Sequence, residues 1–454
     1  MCSTWNNNGY SDKKDICIVF NMNVIKYENS ETIKYEQEII MKIGYACIPL
    51  TINERTNRRL TLKKFSEKMF LEVLEQNILD LRKILENNKN FNISLFRISS
   101  DIVPLGSHSV NEIEWYKYFQ NELKEIGEFI KRCGMRVSMH PGQYTVLNAE
   151  KEEIVLNAIK DLEYHTRLLD SLGVDSSNKI ILHIGGGYGD KSASMNRFIK
   201  NFRGLSQSVK NRLVIENDDK IFNIEDVLFV SREINIPVIF DNLHHECNHE
   251  GDEHIKDIMA KVAKTWQEKD GHIKVHYSQQ NIHKQMGAHS DTIIVKSFLK
   301  YYAEVKEFNP DIMLEVKDKD ISAIKCNIIV NNIDKESNAI IIEKQWAKYK
   351  YVLMERNYKY YKICSKLVKD KCGYEAFYNY IDEIINVDID SGSFVNTSEH
   401  VWGYVKNDVT DKEKNHFNKL ILDIEHKDNI KLYLKKLCDK YNAEYMLNSY
   451  YFCY

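Results

Sequence analysis

The chain has 454 residues, enough for one large domain and a smaller one, since a single (β/α)8 barrel usually takes about 250 residues. Its formal net charge of −3 gives no overall attraction to polyphosphate, so composition alone indicates no nucleic-acid binding. No apolar run approaches the roughly 20 residues of a membrane span, which excludes the integral membrane class.

Residues 1–40 show no strong hydrophobic period, and we treat them as an N-terminal extension. They lack the basic start, apolar stretch and small-residue cleavage site of a secretory signal, so we expect a cytoplasmic protein without membrane partners. The ten cysteines include no CxxC pair. This spacing predicts reduced thiols and excludes a zinc ribbon.

Eight short β-rich runs follow, separated by helix-length segments with an apolar residue at every third or fourth position. This alternation is typical of a parallel α/β sheet, and eight strands close a barrel. The sequence therefore predicts a (β/α)8 barrel over residues 41–328. The eight runs lie at 41–48, 94–100, 136–141, 179–186, 212–218, 237–245, 272–279 and 311–319. The clearest helical segments between them lie at 65–86, 112–133, 152–172 and 291–308.

Residues 329–454 contain no β-rich run and predict a separate, mostly α-helical C-terminal domain. Its segment 343–371 carries nine Lys or Arg residues against three acids, interleaved with aromatic residues. Such a helix can bind phosphates and stack bases, or it can be a solvated helix with an aromatic core face. The region resembles a helical family of unknown function, which names no activity.

Six consecutive runs, from the third to the eighth, carry an apolar residue and then His, Asp or Glu at the same relative position. Because loops at the carboxyl ends of barrel strands converge on one mouth, we expect these side chains to meet there. Any one of them alone also fits a capped or solvated strand end. Three carboxylates in one place repel one another unless divalent cations offset their charge, and such cations accept imidazole and carboxylate ligands. The sequence thus predicts two or three divalent metal ions, with Mn²⁺ and Zn²⁺ both compatible. The six residues are His140, His183, Glu216, Asp241, His276 and Glu315.

Other candidate residues lie in the loops that follow these runs. His108 follows the second run, His244 and His245 the sixth, and His289 the seventh. We interpret His245 as a hydrogen-bonding support for a neighbouring residue. The loop IGGGYGDK at 184–191 is a weak candidate for phosphate binding, and it matches neither a P-loop nor a dinucleotide motif. No nucleotide cofactor is therefore expected.

These blocks resemble, in order, those of the ultraviolet damage endonuclease family. The resemblance covers about residues 41–325, and its most specific parts are SMHPGQY and DNLHH. It implies a barrel related to endonuclease IV and xylose isomerase. The remaining matching blocks are KIGYACI, TNRRLTL, FRISSDIVPLGSH, LHIGGGYGDK, IENDD, FDNLHHECN, KVHYSQQ, GAHSD and MLEVKDK.

The resemblance implies an enzyme that nicks duplex DNA on the 5′ side of pyrimidine photoproducts, leaving a 3′ hydroxyl and a 5′ phosphate. Two or three metal ions are implied, with Mn²⁺ expected first and Zn²⁺ or Mg²⁺ as alternatives. Activated water would attack the phosphodiester. One metal would be held by His140, His183 and Glu216, a second by Glu216, Asp241, His276 and Glu315, and a third by His244 and His289.

The resemblance also implies roles outside the ligand set. Lys274, Glu216 and His108 would be catalytic, and Lys274 matches a lysine that the family can carry in carboxylated form. From the residues alone, Lys274 fits a buried ion-pair partner of a strand-end carboxylate. Gln143 and Tyr144 would enter the duplex at the lesion, and Tyr45 would lie near the damaged nucleotides.

Three other functions fit parts of this pattern. A sugar isomerase of the same barrel superfamily also places His, Asp and Glu at the mouth, although it does not need the Gln143–Tyr144 pair. An abasic-site endonuclease similar to endonuclease IV would cut abasic and photoproduct duplexes equally. A damage-binding protein without activity is disfavoured because every expected ligand type is present.

Overall fold

The fold was analysed in a computed structural model that describes residues 41–333, 335 and 337–454. Eight parallel strands form a closed barrel in chain order, which confirms the predicted fold class. The extension expected at residues 1–40 lies outside the described residues. The strands are β1 (Ile43–Ala46), β2 (Leu95–Ile98), β3 (Arg136–Met139), β4 (Ile180–His183), β5 (Leu213–Glu216), β6 (Val238–Asp241), β7 (Lys274–Tyr277) and β8 (Asp311–Leu314).

Helices surround the barrel and form the whole of the C-terminal region. Those of the barrel region are α1 (Glu67–Asn90), α2 (Trp115–Tyr118), α3 (Gln120–Arg132), α4 (Glu152–Ser171), α5 (Lys191–Arg203), α6 (Gln207–Arg212), α7 (Ile224–Ile234), α8 (Asn242–Cys247), α9 (Ile255–Ala263), α10 (Val295–Val305) and α11 (Asp320–Asn331). The C-terminal helices are α12 (Ala339–Arg356), α13 (Tyr358–Lys369), α14 (Tyr374–Ile385), α15 (Ser391–Trp402), α16 (Asp411–Leu420), α17 (Lys427–Lys440) and α18 (Glu444–Leu447). Within the described ranges, no helix combines the length and apolar character that crossing a lipid bilayer requires.

Each strand falls inside its predicted run, but the sixth run was predicted too long. Residues 242–247 form α8 instead of extending β6. The cause is local, because the Asp241 carboxylate accepts the His244 backbone N–H at 2.8 Å and caps this helix. At the start of α7, Asn223 forms a reciprocal capping box with Asp226, in agreement with a helix starting there.

Alternation along the strands divides the barrel into two environments. In β1, Ile43 and Tyr45 pack in the large apolar core beneath the helices, whereas Ala46 packs with Leu95 and Met313 in a separate cluster. Successive side chains of a strand point to opposite faces. Residues two apart on one strand therefore share a face, which lets several strands deliver their terminal polar side chains to one rim.

The C-terminal helices pack on the barrel through α10 and α11. Val295 and Ile321 join one apolar cluster with side chains of α12 and α14, and Lys325 forms a buried ion pair with Asp382 at 2.6 Å. Along the basic and aromatic segment, Tyr349 is buried while Tyr358 is exposed. Part of the segment is therefore an aromatic core face. A domain division near residue 328 stays a prediction.

Candidate metal centre

The six predicted strand-end donors occupy one end of the barrel. His183, Glu216 and Asp241 are the last residues of β4, β5 and β6. His140 and Glu315 directly follow β3 and β8, and His276 is the third residue of β7. The strand register places His183 beside Glu216 and Asp241 beside His276. All six residues therefore lie together at one rim of the barrel, at the carboxyl ends of the strands.

Glu216 is the common member of this cluster. Three groups of possible ligands have their donor atoms within 4.8 Å of one another, and each group includes Glu216. Its Oε1 lies 2.7 Å from Nδ1 of His276 and 3.6 Å from Nδ1 of His244. A carboxylate in this position can bridge neighbouring cations. The groups are His140–His183–Glu216, Glu216–Asp241–His244 and Glu216–His276–Glu315.

Unpartnered oxygens show that the donor set fits metal ions. Glu216 and Asp241 are 1% and 0% exposed, yet Oε2 of Glu216, 3.3 Å from Nε2 of His140, and Oδ2 of Asp241 make no regular hydrogen bond among the described residues. Leaving a buried polar atom unpaired costs about 1–3 kcal/mol, and more for a charged group. Cations coordinated by these oxygens would remove that cost, and the mixed oxygen and nitrogen donors suit divalent metals.

Arg97 is a site residue that sequence reasoning missed. It lies in β2, is buried, and its Nη2 is 2.9 Å from Nε2 of His276 and 2.5 Å from Oε1 of Glu315. The guanidinium therefore orients one imidazole and one carboxylate of the rim. The available signal was a lone arginine inside the apolar run SLFRISS.

The buried charges shift several pKa values. Burial, together with the neighbouring carboxylates of Glu216 and Glu315, raises the pKa of Asp241 to about 8, although His244 acts in the opposite direction. Burial opposes charge on His244, but Asp241 and Glu216 outweigh it and raise the pKa of His244 to about 9. For His276, burial lowers the pKa to about 4, because its effect is larger than the opposing effect of the Glu216 charge. The Asp241–His244 pair thus retains a proton near neutral pH when no metal is bound.

Metal binding is therefore expected to strengthen as the pH rises. The raised pKa of Asp241 stabilises the metal-free fold at low pH, and this contribution is lost as the pH rises from about 4, the unfolded value, through about 8. A metal ion needs the ionised carboxylate and a neutral imidazole at His244, so binding releases protons. Each released proton should raise the apparent affinity about tenfold per pH unit below these pKa values.

Thermal unfolding tests this dependence. At a fixed, subsaturating Mn²⁺ concentration, the rise in Tm over a chelator-treated sample should be larger at about pH 8 than at about pH 6. The chelator-treated samples report the pH effect on the metal-free fold. Equal Mn²⁺-induced rises at both pH values would contradict the proton–metal competition.

The remaining predicted histidines are placed differently from one another. His289 reaches the rim, with Nε2 3.8 Å from Oε2 of Glu315. The structure groups His244 with Glu216 and Asp241, so it does not form a separate pair with His289. His108 is exposed, and its Nδ1 lies 3.0 Å from the Val110 N–H within its own loop, so no contact joins it to the rim in the described part of the chain. Its catalytic role stays a prediction.

His245 takes a peripheral position. Its ring packs against Phe240 at 5.3 Å between centroids, and it belongs to none of the three ligand groups. Its buried Nδ1 has no hydrogen-bond partner among the described residues, so the expected hydrogen-bonding support stays a prediction.

Two of the three residues expected at a lesion have solvent-exposed side chains. Gln143 and Tyr144 are exposed, Tyr144 at 84%, in the loop that begins at His140. The third, Tyr45, requires a correction, because its side chain is 0% exposed and its hydroxyl donates to Asn88 of α1 at 2.9 Å. Alternation along β1 directs it outward beneath the helices and away from the mouth. A direct contact of Tyr45 with damaged nucleotides is therefore wrong for this structure.

The glycine-rich loop 184–191 is explained by packing. Gly185 has φ 115°, and a Cβ there would lie 2.3 Å from Oδ1 of Asn148. That oxygen also accepts the Gly186 N–H, and Asp190 caps α5 by accepting the Ala193 N–H. These two N–H groups are therefore already paired within the protein, and phosphate binding by the rest of the loop stays a prediction.

Lys274 is a buried amine below the metal rim. It lies two residues before His276, and its Nζ donates to Oγ of Ser138 at 2.6 Å. No carboxylate lies within ion-pairing distance of it in the described ranges, so the ion-pair interpretation is not supported. Burial holds the pKa of Lys274 well below its ordinary value, and the nearby Arg97 and Arg136 cations act in the same direction.

Comparisons with known proteins place most of the chain in a described family. A family model described as UV-endonuclease UvdE matches residues 41–342, and one for a protein family of unknown function (DUF1722) matches residues 350–454. A crystal structure described as SacUVDE is 41% identical, with a TM-score of 0.62, and the match covers 65% of this chain and 99% of that chain.

Named relatives extend the match. A UV DNA damage endonuclease of Clostridium perfringens is 50% identical over 401 residues, which cover 88% of this chain and 96% of that protein. A UV DNA damage endonuclease of Bacillus cereus is 33% identical over 298 residues, covering 63% of this chain and 93% of that protein. The family-model match and the Clostridium relative together show that the chain belongs to the UV-endonuclease UvdE family.

Proposed function

We propose that this chain is a metal-dependent endonuclease that nicks duplex DNA on the 5′ side of ultraviolet photoproducts, leaving a 3′ hydroxyl and a 5′ phosphate. The main support for a metal-dependent reaction is that three groups of possible metal ligands meet at one rim and share the buried Glu216. Family membership supports DNA as the substrate. The lesions expected are cyclobutane pyrimidine dimers and 6-4 photoproducts.

Different side chains of the rim would bind different metal ions. His140, His183 and Glu216 would hold one ion, Glu216 with His276 and Glu315 a second, and Glu216 with Asp241 and His244 a third. When bound, divalent cations at such a site lower the pKa of water and offset the charge that develops on the leaving oxygen. Arg97 contacts both His276 and Glu315 and would hold these two side chains in place for binding an ion. Mn²⁺ is our first choice of metal.

The loop that carries Gln143 and Tyr144 supplies lesion recognition in this proposal. Gln143 lies three positions after His140, so insertion of the pair at a lesion would place the neighbouring backbone phosphates close to the rim. A photoproduct is poorly stacked, and opening the duplex there costs less than at normal pairs. Tyr144 can stack in the opened gap, while the amide of Gln143 can pair with the exposed edges of bases.

We also propose that Lys274 is carboxylated. Burial lowers its pKa and so favours the neutral amine, the form that adds to carbon dioxide with release of one proton. In protein equilibrated with ¹³C-labelled bicarbonate, we expect one carbamate resonance that is lost in Lys274→Met and kept in Lys261→Met, a change at an exposed lysine paired with Glu225 and Glu253. If the protein without substitutions shows no carbamate resonance, Lys274 is not carboxylated.

A nicking assay on one end-labelled duplex tests the function. Four substrates are compared with Mn²⁺ and with chelator: the intact duplex, the irradiated duplex, one with a single defined photoproduct, and one with an abasic site. We expect Mn²⁺-dependent cleavage at the 5′ side of the photoproduct and none in the intact duplex. Equal cutting of the abasic duplex would favour an endonuclease IV-like activity. No cleavage of any duplex would overturn the proposal.

A further inference from the structure

The last residues of the chain return to the barrel beside the metal rim. The Tyr454 hydroxyl donates to Oδ2 of Asp318 at 2.7 Å, and the Cys453 thiol donates to the Leu50 carbonyl at 3.3 Å. Lys431 of α17 donates from Nζ to the Tyr454 carbonyl at 2.6 Å, which fixes the tail on the C-terminal helices. The chain end therefore joins those helices to the loops after β1 and β8.

Asp318 belongs to the loop that follows Glu315, and it is buried. This loop is joined to the preceding one, because the Asp318 N–H donates to the Asp291 carbonyl and the Lys317 N–H to the Ser290 carbonyl, each at 3.1 Å. Ser290 directly follows His289. We call residues 289–291 and 315–319 the paired rim loops. They carry two donors of the metal rim, His289 and Glu315.

The paired rim loops contain a strained residue. Lys319 has φ 51° and ψ −114°, whereas residues in the left-handed region have ψ of about +30° to +60°. Such a conformation persists only where the surroundings fix it on both sides. On one side, Asp320 accepts the N–H groups of Leu50 and Thr51 at 2.7 and 3.2 Å. On the other side, Asp318 is held by the Tyr454 hydroxyl.

Lys319 is close enough to the rim for its position to matter. It is half-buried, and the charges of Glu315 and Arg97 act on it. If the hold on Asp318 were lost, Lys319 could relax to an unstrained backbone conformation. Glu315 lies four residues earlier in the same loop, so its carboxylate would lose its fixed orientation.

We propose that Tyr454 is a positioning residue for the metal centre, acting through Asp318 on the paired rim loops; this rests on the proposed function of the rim. The C-terminal helices then contribute to metal binding without supplying a ligand. The bond joins residues 136 positions apart in the chain. The expected consequence is a loss of metal affinity when the hydroxyl is removed. Direct hydrogen-bond partners of metal ligands contribute about 10-fold to 100-fold, and we expect the lower end here because Tyr454 acts through Asp318.

Tyr454→Phe removes only the hydroxyl and is compared with Tyr450→Phe. Tyr450 lies in the same tail, is buried, and its hydroxyl has no hydrogen-bond partner among the residues that the structure describes. Mn²⁺ titration by calorimetry should show a dissociation constant about tenfold higher for Tyr454→Phe, and an unchanged one for Tyr450→Phe. Nicking by Tyr454→Phe should need correspondingly more Mn²⁺ and approach the unmodified rate at saturation.

Cys453→Ala provides a second comparison, since it weakens the tail's contact with Leu50 and leaves the Tyr454 hydroxyl in place. It should bind Mn²⁺ as the unmodified protein does. Unchanged Mn²⁺ affinity in Tyr454→Phe would overturn the positioning role. If the unmodified protein binds Mn²⁺ but nicks no duplex, the proposed function fails, while the calorimetric comparison still decides the role of Tyr454.

Discussion

Glu216→Gln should lower Mn²⁺-dependent nicking of a photoproduct duplex by about a thousandfold or more, which corresponds to about 4 kcal/mol of lost transition-state stabilisation. Glu216 belongs to all three ligand groups, so the variant weakens every possible metal position at once. An amide keeps the size of the carboxylate but removes its charge and one acceptor oxygen. Burial does oppose charge on Glu216, but His276 and His183 prevail and hold its pKa well below the ordinary value, so it is ionised throughout the working range.

The matched control is Glu246→Gln. Glu246 is an exposed carboxyl on α8, directly after β6, where it accepts from the Asn242 amide at 3.2 Å and belongs to none of the ligand groups. It should nick within about twofold of the unmodified protein, as expected for a change away from the ligands. Metal content measured on both variants separates loss of metal from loss of fold. Full activity in Glu216→Gln would refute a shared metal centre.

Tyr144→Ala should lower nicking of photoproduct duplexes by about 10-fold to 100-fold, because stacking of an aromatic side chain on a base contributes about 1–3 kcal/mol. The side chain is 84% exposed and makes no core contact, so the Tm should stay within about 1 °C of the unmodified value. Mn²⁺ affinity should also stay unchanged. The effect is therefore specific to DNA and distinguishable from damage to the metal rim.

Two comparisons sharpen this prediction. Leu422→Ala removes a side chain of similar exposure, 81%, from the C-terminal helical region and should leave nicking unchanged. A photoproduct placed inside an unpaired bubble is already open, so Tyr144→Ala should lose less activity on it than on the paired duplex. An equal loss on both substrates, or no loss on either, would contradict the role of Tyr144 as a wedge.

The barrel and the residues of its rim could be predicted from the sequence because both depend on local periodicity. Strand runs and amphipathic helices follow from the spacing of apolar residues, and parallel strands place their carboxyl ends at one mouth. A His, Asp or Glu at each of six run ends is therefore enough to predict a common site. The spatial grouping of those donors was less accessible. His244 joins Asp241 and Glu216 because α8 begins directly after Asp241, where a longer strand was expected.

Residues whose roles depend on contacts across the barrel could not be predicted from the sequence. Arg97 acts on His276 and Glu315 from β2, about 180 and 220 positions away, and a lone arginine in an apolar run does not indicate such partners. Tyr45 was placed at the lesion by resemblance, although the parity of β1 directs it beneath α1. The Tyr454 contact with Asp318 joins two predicted domains, and no periodicity encodes such a pairing.

The most direct measurement is anomalous diffraction from crystals of the protein soaked in Mn²⁺. Two or more manganese peaks should lie inside the rim, with carboxylate oxygens of Glu216 coordinating at least two of them. The nearest ligand atoms should come from His140, His183, Glu216, Asp241, His276 and Glu315. Manganese bound only outside this rim, or no manganese at saturating concentration, would contradict a metal centre built around Glu216.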